Sequence, residues 1–160
     1  MAKAGSRKIA NYGDRFKANV RTQGKGAPMT IAFWCVFVAV LLPYVCFGIA
    51  RNRGRGPSGD RLRDNRNPRD FPNRIEGLAK RAWDAQLNAF EALPGFAAAV
   101  IIAHLVHAPQ NQIDVLASVW VLARIAHVAF YLTDKDKLRT SAQLVSLACV
   151  LGLFVAAGLS

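Results

Sequence analysis

Arg81-Ala-Trp-Asp-Ala-Gln-Leu-Asn-Ala-Phe-Glu-Ala-Leu-Pro-Gly-Phe96 runs from charged sequence straight into an apolar stretch of membrane grade. Arg81, Asp84, Asn88 and Glu91 follow one another at i, i+3, i+7 and i+10, which places them on one face of a helix. Glu91 falls at the edge of, or inside, the hydrocarbon. An ionisable group there is costly unless it faces the bundle interior and finds a partner, so it marks either a functional site or a polar ladder that locks helices together.

Outward from this stretch, three more runs have the same character. Met29–Ala50 carries no charge at all, Ile113–Thr133 is broken only by Asp114, Arg124 and His127, and Thr140–Ser160 is free of charge. The second run proper, Ala92–Ala108, has only His104 and His107 as ionisable groups. Each is long enough to cross ~30 Å of hydrocarbon, the second if its helix begins in the polar motif. The expectation is an all-α integral membrane protein, a four-helix transmembrane bundle over residues 29–160. Met29–Ala50 is too long for the apolar core of a signal peptide and follows a basic tail, so it reads as a retained first helix. Pro43 inside it is a candidate kink.

The net charge of +11 lies outside the spans. Arg51–Arg81 holds ten Arg/Lys against four Asp/Glu, Pro109–Gln112 holds none of either, and Asp134–Arg139 holds three basic and two acidic residues. Positive loops mark the cytoplasmic side, so the first and third connections are expected inside and the second outside. The tail at 1–28 is basic as well, with Lys3, Arg7, Lys8, Arg15, Lys17, Arg21 and Lys25. Four spans cannot place both the tail and the first loop inside; the two loops agree and set the expected orientation. Ile9, Tyr12, Phe16 and Val20 in the tail are spaced for a short helix on the lipid surface.

The segment at 51–80 is rich in Arg, Gly, Asn, Asp and Pro and reads as a long loop without a core of its own. Nucleic acid is not the expected partner: Phe71 is the one aromatic among these cations before the second span, and membrane topology already accounts for them. Cys35, Cys46 and Cys149 fall inside spans without metal-ligand spacing and read as small packing residues. His104 and His107 read as interfacial, with no further ligand for a metal.

Span three carries a second polar stripe, Arg124, His127 and Tyr131, and Arg139 opens span four. These residues and the Arg81–Glu91 face should meet at one membrane level, in a charged cavity near the cytoplasmic interface. The bland readings stand beside this one. Arg124 can pair with Glu91 across helices, Tyr131 can be a belt aromatic, Arg139 a flanking cation and His127 a hydrogen-bonded core histidine.

At these residues the chain resembles the bacterial branch of the membrane-associated proteins in eicosanoid and glutathione metabolism, the MAPEG family. The resemblance rests on Asp64-Asn-Arg-Asn-Pro-Arg69, on Gly77 with Arg81-Ala82, and on Ala85-Gln86-x-Asn88-x-x-Glu91-Ala-x-Pro94-x-Phe96. It continues through Ala123-Arg124-x-x-His127-x-x-x-Tyr131 and Leu138-Arg139. It implies a homotrimer in a bacterial inner membrane, with glutathione as thiol substrate at protomer interfaces. Carried over, Asn88, Glu91, Arg124, Tyr131 and Arg139 would contact the ligand, with Gln86 nearby. Asp84 stands where the eukaryotic enzymes have an Arg, and His127 where they have a Tyr.

A free thiol has a pKa near ~8.5 and an adjacent guanidinium favours its thiolate. Arg139 is the candidate for that role, with a hydroxyl hydrogen bond from Thr140. Arg81 and Arg124 are candidates for peptide carboxylates, and Glu91 for the ligand's ammonium. The expected function is a membrane glutathione transferase or peroxidase-like enzyme acting on apolar electrophiles. The alternative is a non-catalytic subunit or scaffold of a larger membrane complex. A transporter fits less well, because the polar face is confined to one end and no broken helix marks a midplane site.

Overall fold

A computed structural model describes residues 29–55, 59 and 68–160. The basic tail and the Asp64–Asn67 part of the first motif lie outside the described residues. Four long helices form the chain: α1 (Ile31–Arg53), α2 (Gly77–Leu105), α3 (Gln110–Leu132) and α4 (Asp136–Gly158). A short 3₁₀ helix, Pro68–Asn73, precedes α2. At 23 to 29 residues each, the four helices are long and apolar enough to cross a membrane.

The helices pack as two close pairs, α1 with α2 and α3 with α4; α3 also meets α1, and α2 meets both α3 and α4. Small residues line the seams. Ala32, Ala39, Cys46 and Ala50 are buried on α1, and Ala82, Ala85, Ala99 and Ala103 on α2. Large side chains such as Trp34, Phe37, Leu122, Leu144 and Leu151 point outward. This inverted distribution suits a lipid solvent, where close backbone approach rather than water exclusion holds helices together. Phe96 and Trp120 stack face to face at 3.7 Å in the centre of the core. Cys46 and Cys149 are buried free thiols, as packing residues should be.

Helix ends are defined by local chemistry. Thr30 caps α1 by accepting the Phe33 N–H. α1 continues through the buried Pro43. At the far ends of α2 and α3, His107 (φ 59°) and Asp134 (φ 61°) adopt the left-handed conformation. The Ala108 N–H then reaches the Ala103 carbonyl at 3.0 Å, and the Lys135 N–H the Phe130 carbonyl at 2.9 Å. These are Schellman stops, which satisfy the last carbonyls and let the next helix start within a few residues. The third connection is accordingly shorter than the sequence suggested, since α4 already begins at Asp136, while the second keeps its length but lies earlier in the chain, with α3 beginning at Gln110.

The expected loop at 51–80 is corrected in the same direction. α1 extends through Arg53, α2 starts at Gly77, and the 3₁₀ helix folds back between them. Phe71 and Ile75 are buried there against Ala50, Ala79 and Ala82. Gly54 makes this possible: a Cβ on it would come within 3.0 Å of the Phe71 ring and the Ile75 side chain. Every described Lys and Arg except Arg124 lies at this end of the bundle, formed by the end of α1, the start of α2, the end of α3 and the start of α4.

Candidate functional site

The polar face of α2 divides when it meets its neighbours. Arg81 turns to the end of α3, donating from Nε to the Leu132 carbonyl at 3.3 Å and standing 3.7 Å from the Asp134 carboxylate. Asp84 pairs with Lys80 one turn back at 3.0 Å. Gln86 lies off this face, half-buried, its Oε1 buried without a hydrogen-bond partner. Only Asn88 and Glu91 face the groove between α2 and α4.

Arg124 of α3 forms the back of that groove. It is 1% exposed. Its Nη2 donates to the Asn88 side-chain oxygen at 2.7 Å and to the Asn88 backbone carbonyl at 3.1 Å. Its Nη1 donates to Oε1 of Gln143 on α4. The pairing of Arg124 with Glu91 is therefore not the arrangement found; two neutral amides take the guanidinium instead. Glu91 is exposed at the groove's edge and makes no ion pair among the described residues. The expectation that Glu91 is buried between helices is corrected for the single chain: three residues beyond Asn88, it has turned past the α3 contact to the open side.

The groove has two chambers that share Asn88 and Gln143 as a waist. The chamber toward the basic end, about 280 Å³, is lined by His127, Tyr131, Arg139 and Thr140. The Arg139 guanidinium sits over the Tyr131 ring at 4.4 Å, and the His127 and Tyr131 rings meet edge to face at 5.7 Å. His127 is 3% exposed and its Nδ1 is buried without a partner. Thr140 donates its hydroxyl proton to the Asp136 carbonyl at 3.1 Å, so in this conformation it offers the chamber a lone pair and not a donor. The deeper chamber, about 270 Å³, has Glu91 and Ser146 near the waist, Trp120 in its wall, and Gly95, Leu147 and Val150 toward the hydrocarbon.

The structure thus brings together Asn88, His127, Tyr131, Arg139 and Thr140, with Glu91 just beyond the waist and Arg124 behind it. Arg81 and Gln86 do not line the groove. Sequence reasoning missed Gln143, Ser146, Trp120 and Gly95. Gln143 had a signal, the one amide in span four and one turn after Arg139, but it carries no charge to set it apart from the neighbouring hydroxyl residues.

Chemically, the groove combines one half-buried guanidinium, a waist of amides and an apolar far end. It suits a ligand with an anionic group at Arg139 and an apolar part at the far end. Among the described residues, no group of three His, Cys, Asp or Glu is arranged to hold a metal. At the opposite end His104 Nδ1 lies 3.2 Å from Gln110 Oε1. A family model described as the MAPEG family matches residues 31–159. Comparisons with curated proteins and with solved structures gave no match.

Proposed function

Because the chain belongs to the MAPEG family, we propose that it is a membrane-embedded, glutathione-dependent transferase or peroxidase-like enzyme. In this reading the Arg139 guanidinium stabilises the thiolate of glutathione in the chamber toward the basic end, and the thiolate attacks an apolar electrophile entering from the bilayer. The observation that carries it is Arg139 held over the Tyr131 ring in a chamber whose lower end opens among apolar side chains. An ordinary flanking cation would extend to the lipid surface; this one is held beside a cavity by a cation–π contact. Glu91, charged and exposed at the groove's edge, supports assembly, since a second copy would cover it. In this reading the assembly is a homotrimer, as the resemblance implies, and the charge asymmetry supports a groove whose basic end faces the cytoplasmic side of a bacterial inner membrane.

The second reading, a non-catalytic subunit of a larger complex, is favoured by Asp84. It stands where the resemblance expects a cation, and it ties up Lys80 as well. One experiment separates the two: the ultraviolet difference spectrum of thiolate when glutathione is added near neutral pH to folded protein in mild detergent. The enzyme reading expects a thiolate band and conjugation of a standard electrophile. Neither appearing with well-folded protein would leave the scaffold.

A further inference from the structure

The waist of the groove carries a detail that charge counting overlooks. A guanidinium only donates hydrogen bonds. The oxygens of both the Asn88 and Gln143 side chains are turned to Arg124. Their NH₂ groups are therefore the ends left over, and neither makes a hydrogen bond to another described residue. Both side chains line both chambers. The buried Arg124 thus sets the amide orientation on two facing walls, and neither amide can flip without setting its NH₂ against the guanidinium.

We infer that Asn88 and Gln143 form a carboxylate-binding subsite built from amide N–H donors and positioned by Arg124. This rests on the thiol-dependent reading above and says which thiols the groove accepts. Among described residues the only formally charged side chains lining the groove are Arg139 and Glu91. With Arg139 given to the thiolate, a ligand carboxylate finds no second cation among the described residues that line this chain's groove: Lys80 is held by Asp84, and Arg81 by Leu132 and Asp134. The two amides supply donors instead, in a membrane setting where hydrogen bonds are screened little, and the positive charge of Arg124 lies directly behind them. Gln143 is one turn below Arg139, an axial step of about 6 Å. The ligand should therefore carry its carboxylate about one helical turn from its thiol, as a short peptide-like thiol does and a bare alkyl thiol does not. Arg124 is a positioning residue here; it reaches the ligand through the amides.

The substitutions that test this are nearly isosteric. Gln143→Glu and Asn88→Asp each keep an oxygen for Arg124 and replace the NH₂ group with a second oxygen. Calorimetry on the full-length protein in mild detergent compares glutathione, its diethyl ester, and the tripeptide with alanine in place of cysteine. The thiolate band is recorded in parallel. We expect each variant to weaken glutathione by about tenfold or more while the ester changes by less than about threefold. A purely structural role would move both ligands together. If thiolate forms in the wild type but the variants bind glutathione unchanged, or lose acid and ester equally, the subsite is overturned and the enzyme reading stands. If no thiolate forms, yet the alanine tripeptide binds and Gln143→Glu abolishes it, the subsite stands and the thiol reading falls. If neither tripeptide binds the wild type, both fall.

Discussion

The Asp114 carboxylate, near the start of α3, accepts the backbone N–H of Ala32 in the first turn of α1 at 2.9 Å. It is an N-cap supplied in trans. Thr30 serves the Phe33 N–H from within the same chain segment, and Asp114 serves a donor that Thr30 leaves open. Gln110 Nε2 donates to the same carboxylate oxygen at 2.9 Å, and Gln110 Oε1 faces His104 Nδ1. One acidic residue thereby fixes the start of α1 against α3 and the end of α2. It also explains why an acid is retained in a span: it sits at the positive end of a helix dipole.

Replacing Asp114 with Ala should lower stability by about 0.5–2 kcal/mol, the range for losing a cap. Asp114→Asn should cost less, because an oxygen remains to accept the Ala32 N–H. Reversible unfolding in mixed micelles measures both. An equal loss in the two variants would argue that the carboxylate charge at the helix dipole, and not the accepted Ala32 N–H, carries the effect; no loss in either would mean that the cap contributes nothing.

Gly54 predicts a packing defect with a local readout. A Cβ there meets the Phe71 ring and Ile75 within 3.0 Å. Both neighbours belong to a buried cluster with little room to give, so Gly54→Val should cost about 1–3 kcal/mol by overpacking. The strain should release the 3₁₀ helix Pro68–Asn73 from α1 and α2 before the bundle opens. Limited proteolysis between residues 54 and 76 should accelerate while cleavage elsewhere stays slow. Gly48, whose Cβ would meet nothing within 4 Å, supplies the control as Gly48→Ala.

The four spans were legible because long, mainly apolar runs admit one physical solution, a helix that satisfies its own backbone in lipid. Much of the site was legible for a related reason. Asn88, His127, Tyr131 and Arg139 are polar groups placed where polarity costs most. The partners were not legible. Spacing tells which residues share a face, but not how that face is rotated against its neighbours. Arg81 and Asp84 therefore left the stripe for Asp134 and Lys80, while Gln143 entered the site without a charge to announce it. Phe71 and Ile75 were missed because isolated apolar residues in a polar segment carry no periodicity, and their burial depends on an absent side chain at Gly54.

Arg124 offers a test of the waist through stability. Arg124→Lys retains the charge but not the fork that joins Asn88 on α2 to Gln143 on α4. One of the two amides should lose its partner, at a cost of about 1–3 kcal/mol. Adding Gln143→Leu removes the stranded amide, so the double variant should lose less than the sum of the two single variants. A double-mutant cycle measures that coupling. Strict additivity would mean that Arg124 does not bridge the two helices.

The last prediction concerns Gly95 and separates groove from fold. Gly95 lines the deeper chamber, and a Cβ added to it meets nothing within 4 Å. Replacement should therefore leave the helix packing intact while filling the groove's apolar end. A larger side chain at this exposed helical position should even favour the helix slightly over glycine. Gly95→Leu should fold as the wild type does. It should bind glutathione with little change, because the proposed thiol position at Arg139 lies above the waist and the proposed carboxylate position is the waist itself, at Asn88 and Gln143. Conjugation of a long-chain electrophile should fall by about tenfold or more while a short one is spared, since removing even a few buried methylene contacts is worth that much. The measurement is kcat/KM across a chain-length series. A uniform loss at every length would place the electrophile elsewhere on the protein, and an unchanged series would show that the deeper chamber takes no part in the reaction.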